Sequence, residues 1–309
     1  KANVIGNYFV CPPGNIISKP LIGANLDRNG YPNFSVHVAN NLHDNNGDGI
    51  LNGTDRGWNI VNGSAYNAAT NPTGNYLRLD TPVSGSSTLT VESPLLAHKK
   101  IVSNGGALRT DIGYSGTYRD EVDTRLIQNL TTQTRNHITR ESDLAGISNA
   151  GFGTFNASAA PVDSDKDGMP DFYETSLGWN PATQDHNTAL ANSGGLVTGT
   201  TFFPSATPAG YTRLEEYLHY LSIPHGTVPR NIAGSPTNVQ IDLSKFTAGF
   251  SDAPVFTVSN IVGGTIVQSG AGNRIVTFTP TLNLTGRARF DFTATDSASH
   301  SFKIGRAHV

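Results

Sequence analysis

Val4-Ile5-Gly6-Asn7-Tyr8-Phe9-Val10 is a β-type run broken by a Gly-Asn pair. A second run of the same design follows, Phe34-Ser35-Val36-His37-Val38, closed by Asn40-Asn41. Branched and aromatic residues in runs this short read as strands, and asparagine at their ends reads as a corner. Long stretches of Asn, Gly, Thr and Ser come next, up to a further strand expected at Ser87-Thr88-Leu89-Thr90-Val91. Short strands alternating with polar loops fit a solenoid, whose coils bury their core only by stacking on one another. A strand met at the first residues is expected to have a coil before it, so Lys1 reads as a truncation point.

The patterning then changes twice. A helix is expected near Leu95 to Ser103. A second runs from Arg119, where Val122, Leu126 and Leu130 share one face and Glu121 and Arg125 stand four residues apart. A third covers Tyr211 to Ile223, with Leu214, Tyr217, Leu218 and Leu221 at helical spacing and Pro224 as its stop. Beyond a linker at 225–236 the period becomes two: Val239, Ile241, Leu243; Phe256, Val258; Val276, Phe278; Phe290, Phe292, Ala294. Short alternating strands between Gly, Asn, Asp and Pro turns predict an immunoglobulin-like β-sandwich over 237–303. Its last strand is expected to break after Phe302. Residues 304–309 resemble the translation of a sequencing-library adapter and are expected to be a non-native tail.

With 309 residues the chain has room for about two domains. Its 37% hydrophobic and 15% charged content, with 33 Gly and 17 Pro, suits a loop-rich, mainly β protein. A net charge of -3 gives no footprint for nucleic acid or an anionic membrane. No apolar run approaches the roughly 20 residues of a membrane span. Cys11 stands alone, which excludes an intramolecular disulfide framework and a cysteine zinc site. The nine histidines form no metalloprotease pair, and the glycines form neither a phosphate loop nor a dinucleotide fingerprint.

The most specific local signal is Asp163-Ser-Asp165-Lys-Asp167-Gly168-Met169-Pro-Asp171-Phe-Tyr-Glu174. Carboxylates stand at loop positions 1, 3, 5, 9 and 12, Gly168 permits a sharp turn, and the Met169 carbonyl falls at position 7. A hard cation with six to eight or so oxygen ligands requires this arrangement, so the loop predicts calcium. Five carboxylates this close repel one another, and Lys166 offsets one charge only. A second loop, Asp44-Asn-Asn46-Gly-Asp48-Gly-Ile50-Leu-Asn52-Gly-Thr-Asp55, has the same register with fewer charges and a short Asp at position 12. Asp44, Asn46, Asp48, the Ile50 carbonyl and Asp55 would be its ligands; the competing reading is a loop whose side chains cap their own backbone. Both calcium sites are expected to order loops and not to polarise a substrate.

Arg119, Asp120, Asp123 and Arg125 form a mixed-charge cluster that could clamp an acidic sugar, although ion pairs on a helix's polar side are the better reading. Trp58, Trp179, Tyr114 and Tyr118 are candidate sugar-stacking rings, with a small local core the better reading of Trp179. His98, His137 and His219 have no partner visible in sequence.

Taken in order, four segments resemble the C-terminal part of bacterial secreted pectate lyases of the parallel β-helix type. They are Asn3 to Phe9; Ile101-Val-Ser-Asn-Gly-Gly-Ala107 leading to Arg119–Ile127; Asp163 to Glu174; and Gly210-Tyr-Thr-Arg-Leu-Glu-Glu-Tyr-Leu218. The region from Pro236 separately resembles cadherin-like or immunoglobulin-like modules. The resemblance implies terminal coils of a right-handed parallel β-helix over 1–160, a small helical calcium-loop extension over 161–224, and the sandwich. It implies a secreted or cell-surface lyase that cleaves pectate by β-elimination with Ca2+, acting as a monomer. The family's catalytic arginines and primary calcium carboxylates lie on coils before Lys1, so no residue here inherits a catalytic role. At Thr207-Pro-Ala209-Gly210 the chain lacks the acidic residues that relatives often carry, and no calcium site is expected there. The alternative, from another class, is a non-catalytic surface protein that binds carbohydrate.

Overall fold

The computed structural model describes residues 1–14, 16–22, 35–62, 78–83, 90–106, 108, 111, 119–134, 138–154, 159–190, 211–284 and 288–308. Ser87–Leu89 of the strand expected at Ser87–Val91, Tyr114, Tyr118, His137 and the 207–210 segment lie outside the described residues, and Thr90 and Val91 are in no strand. The chain is mainly β with few helices, and its contacts form two compact units. Unit 1 comprises Lys1–Gly105 and Val122–Phe152; unit 2 comprises Gly106–Glu121 and Gly153–Val309.

Unit 1 holds the strands β1 (Ala2–Ile5), β2 (Tyr8–Val10), β3 (Leu21–Ile22), β4 (Val36–Ala39), β5 (Leu42–Asp44), β6 (Thr54–Asp55), β7 (Val61–Asn62) and β8 (Arg78–Leu79). Successive passes of the chain pair in parallel: β1 beside β4 beside β8, β2 beside β5, and β3 beside β7. β6 closes antiparallel onto β5. These sheets are small and open.

The Gly-Asn and Asn-Asn pairs form the corners that join β1 to β2 and β4 to β5. Gly6 has φ 70° and Asn40 φ 53°, left-handed bends that turn the chain between strands. A Cβ on Gly6 would also stand 2.9 Å from the Glu92 carbonyl oxygen. Asn41, buried beneath the corner, accepts from the Asn7 backbone N–H and side-chain amide at 2.9 Å each and donates to the Val4 carbonyl at 2.8 Å. One side chain thus satisfies the corner's backbone groups where no sheet ladder reaches them. Val36, Val38, Ile60 and Val61 form the core, with Val4, Phe9, Leu21 and Trp58 packed against it.

Helix α1 (Pro94–Asn104) starts with the Ser93 hydroxyl accepting from Leu96 N–H and Pro94 in the first turn, both strong start signals. Helix α2 (Glu121–Thr131) forms where expected, but Leu126 is 60% exposed and no residue of the helix is fully buried. Two residues beyond its end, buried Gln133 reaches the Asp44 carboxylate with its amide at 3.4 Å.

Unit 2 carries helices α3 (Asp171–Ser176) and α4 (Arg213–Ser222), the latter begun by a Thr212–Glu215 capping box. The buried stripe of α4 differs from the expected one. Leu218 and Leu221 are 55% and 39% exposed, whereas Glu216 and Tyr220 are buried. The aromatic side wins because Tyr217 and Tyr220 pack on Tyr173 of α3, with ring centroids 4.7 and 5.2 Å away.

Strands β9 (Val239–Asp242), β10 (Val255–Val262), β11 (Gly264–Ser269), β12 (Ile275–Pro280), β13 (Arg289–Thr295) and β14 (Ser301–His308) form two antiparallel sheets, β10-β13-β14 and β11-β12-β9. The alternating residues Val276, Phe278, Phe290, Phe292 and Ala294 have no exposed surface. Phe278 of one sheet meets Phe290 of the other at 6.2 Å, so the two inner faces share one core. The expected break after Phe302 is not present. β14 pairs on to His308, opposite Arg289, because β10 takes one edge of β13 and leaves the other for it.

Candidate metal centre

The 163–174 loop folds around its own carboxylates. Asp163 accepts from the backbone N–H groups of Lys166 (2.7 Å), Asp167 (3.3 Å) and Gly168 (3.0 Å). Gly168 makes this possible with φ 97°, a conformation L side chains rarely adopt. Asp165 accepts from Asp167 N–H at 3.2 Å, and Asp167 from Met169 N–H at 3.0 Å. Sequence spacing thus becomes three convergent carboxylates: Asp163, Asp165 and Asp167 each offer an oxygen within 4.8 Å of the others.

Glu174, one turn into α3, brings a carboxylate oxygen within 4.8 Å of Asp167 and has 0% exposed surface. Neither of its carboxylate oxygens has a hydrogen-bond donor. A buried carboxylate without partners is costly and calls for protonation or a cation. Burial, then the charges of Asp167, Asp165, Asp185 and Asp171, push its pKa up to about 7. Burial and the Asp167 charge also raise Asp165. For Asp163, burial acts upward but is outweighed by the N–H groups of Gly168, Lys166 and Asp167, so its pKa is lowered.

Asp171 faces elsewhere. Its carboxylate accepts from Ser164 N–H at 2.7 Å and Ser164 Oγ at 2.6 Å, which fastens the start of the loop to the start of α3. Met169 is fully buried beneath the loop. The residue that loop spacing misses is Asp185. It joins Asp167 and Glu174 in a second group of three carboxylates within 4.8 Å. Its only sequence signal is its type, since it follows the loop at no fixed offset.

The loop at 44–55 is arranged differently. Asn46 donates to Asp48 (2.8 Å) and Asn52 (2.9 Å), and Asn52 also donates to Asp48 at 2.9 Å. Asp44 is buried and accepts from Asn52 N–H at 3.1 Å. Asp48 accepts from Ile50 N–H at 2.8 Å, and Asp55 is turned onto Gly57 N–H at 2.8 Å. Its polar groups are largely engaged with one another and with their own backbone.

The remaining candidates are covered or packed. Arg78 lies 4.8 Å over the Trp58 ring and Arg213 lies 4.5 Å over Trp179, so cations occupy the ring faces a sugar would need. Arg125 donates to the Ala145 carbonyl at 2.6 Å. His98 packs edge-on to Tyr8, and burial lowers its pKa. A separate cavity of about 260 Å3 lies between Phe172, Tyr173 and Tyr220 on one side and Pro280 and Leu284 on the other. Its one charged lining residue, Arg230, donates to the Asn283 carbonyl at 3.2 Å.

No family model and no solved structure matches the chain. Proteins named probable pectate lyase C from Aspergillus flavus and Aspergillus oryzae are each 30% identical to it over 185 residues, covering 59% of this chain and 37% of theirs. A third of that name, from Emericella nidulans, is 30% identical over 208 residues, covering 67% of this chain and 42% of its own length. The chain is related to pectate lyases. It spans less than half the length of these curated relatives.

Proposed function

We propose that this chain is part of a secreted, calcium-dependent pectate lyase that cleaves polygalacturonate by β-elimination and works as a monomer. The observation that carries the reading is the 30% identity, over some three fifths of the chain, to relatives named probable pectate lyase C. The parallel pairing of β1, β4 and β8 and the asparagine-filled corners favour terminal coils of a β-helix in unit 1. The Phe278–Phe290 core between two antiparallel sheets favours an immunoglobulin-like module at 237–303. Residues 161–224 are read as the calcium extension between them.

In β-elimination the proton next to the uronate carboxylate is removed and the glycosidic oxygen departs, leaving a carbon–carbon double bond at the new sugar end. No residue of this chain is assigned to that chemistry. Its acidic loop has a different task. Asp163, Asp165, Asp167 and Glu174 fit a calcium ion, because Glu174 brings two buried oxygens with no donor into a cluster of further carboxylates. Calcium there would neutralise mutual repulsion and hold the loop against α3, an ordering role.

The test is the ultraviolet absorbance of unsaturated ends when the whole protein containing this chain is mixed with polygalacturonate. Absorbance that rises with calcium and vanishes in chelator is expected. Uronate binding without any cleavage would overturn the lyase reading and leave a carbohydrate-binding protein.

A further inference from the structure

We infer that Asp185, outside the 163–174 loop, is a direct ligand of the same cation and ties the return segment 184–188 and helix α4 to it. The inference rests on the calcium reading of that loop. Its first support is convergence: Asp185 offers an oxygen within 4.8 Å of both Asp167 and Glu174, and the Glu174 side chain is wholly buried with both oxygens lacking a donor. The donorless oxygens of Glu174 are costly to bury beside two further carboxylates unless a proton or a cation offsets them, and a cation placed there would meet all three residues at once.

The second support is how Asp185 divides its own oxygens. Oδ2 is paired with the Arg213 guanidinium, while Oδ1 is buried and has no hydrogen-bond partner. Arg213 therefore accounts for one oxygen and leaves the other facing a need it does not meet. Arg213 is itself held, stacked over Trp179. It is a positioning residue for Asp185.

The third support is the way the segment is fastened to the loop. Asp167 accepts from the backbone N–H groups of Asp185 (3.2 Å) and His186 (3.1 Å), and Gln184 donates its amide to the Asp165 carbonyl at 2.6 Å. On its other side the segment meets α4: Arg213 N–H donates to the Thr188 carbonyl and Leu214 N–H to the His186 carbonyl, each at 3.1 Å. A cation bound through Asp185 would thus bridge two stretches of chain separated by the whole of α3. Loop spacing alone describes a self-contained site, whereas this geometry makes it a clasp.

The experiment uses the full chain, with calcium titrated calorimetrically and terbium as a luminescent substitute whose lifetimes in ordinary and heavy water count bound waters. Asp185→Ala is expected to weaken calcium binding by roughly tenfold or more and to add about one water to bound terbium. Arg213→Met removes the ion pair but keeps the carboxylate, and is expected to leave the water count unchanged. If Asp185→Ala does not fold, Asp185→Ser is read in the same way. Wild-type affinity and water count in the Asp185 variant would overturn this inference alone, as would equal effects of the Asp185 and Arg213 variants on the water count. Absence of any calcium or terbium binding by the unaltered chain would instead overturn the calcium reading on which it rests.

Discussion

Glu174 and Asp167 sit in one group of carboxylate oxygens, the former with no exposed surface and the latter almost as deeply buried. Burial, and then the Asp167 charge, therefore work against ionisation of Glu174. The folded chain holds a proton on Glu174 up to about pH 7, where an ordinary glutamate would have lost it near 4.5. Because this pKa is raised on folding, the stability it contributes is fully present below about pH 4.5 and is lost as pH rises through 7. In chelator this group is expected to lower the melting temperature between about pH 4.5 and 7, with no further fall above that range. Glu174→Gln should abolish that fall, and excess calcium should too. A flat profile in chelator for the unaltered chain would contradict this.

The acid side has a different origin and opposite sign. Burial lowers His98 and His225 below their ordinary 6.5, with Lys99 adding to the effect at His98. The unfolded chain then binds protons that the folded one refuses, so stability is present above about pH 6.5 and is lost as pH falls below it. Calcium should not rescue this loss. Thermal melts at about pH 5 and 6.5 in calcium would show it, and equal melting temperatures would count against it.

Asn41 supplies three hydrogen bonds at the strand corner, to Asn7 and Val4, from a position only 1% exposed. Asn41→Ala leaves the Asn7 N–H and the Val4 carbonyl without their partner. It is expected to cost about 2 kcal/mol in urea unfolding. A cost below about 0.5 kcal/mol would mean that water replaces it at the corner.

Phe290 has no exposed surface and lies 6.2 Å from both Phe278 and Phe292. Phe290→Ala is expected to cost about 3–5 kcal/mol, whereas Val267→Ala, at an exposed site on β11, should stay within about 0.5 kcal/mol. Similar costs for both would deny the shared core between the sheets.

Much of this was legible in the residues themselves. Alternation at Val276, Phe278, Phe290, Phe292 and Ala294 marks inward positions because a strand has period two. The spacing of Asp163, Asp165 and Asp167 marks a common focus because one loop supplies all three. The helix faces were less legible. α4 has an apolar stripe through Leu218 and Leu221 and an aromatic one through Tyr217 and Tyr220, and only the presence of Tyr173 decides between them. Asp185 was not legible at all, since what brings it to the loop is the return of the chain and the backbone N–H groups it presents to Asp167. β14 ran past its expected end for a similar reason, an open edge on β13 that local sequence does not reveal.

The most direct test of calcium as the ordering element is differential scanning calorimetry of the full chain with calcium and with chelator. Binding to the folded state alone stabilises it by about 2.7 kcal/mol when calcium is a hundredfold above Kd. The melting temperature is expected to rise by several degrees with calcium, and Asp163→Ala combined with Asp167→Ala should remove most of that rise. A melting temperature that is the same in calcium and in chelator would contradict it.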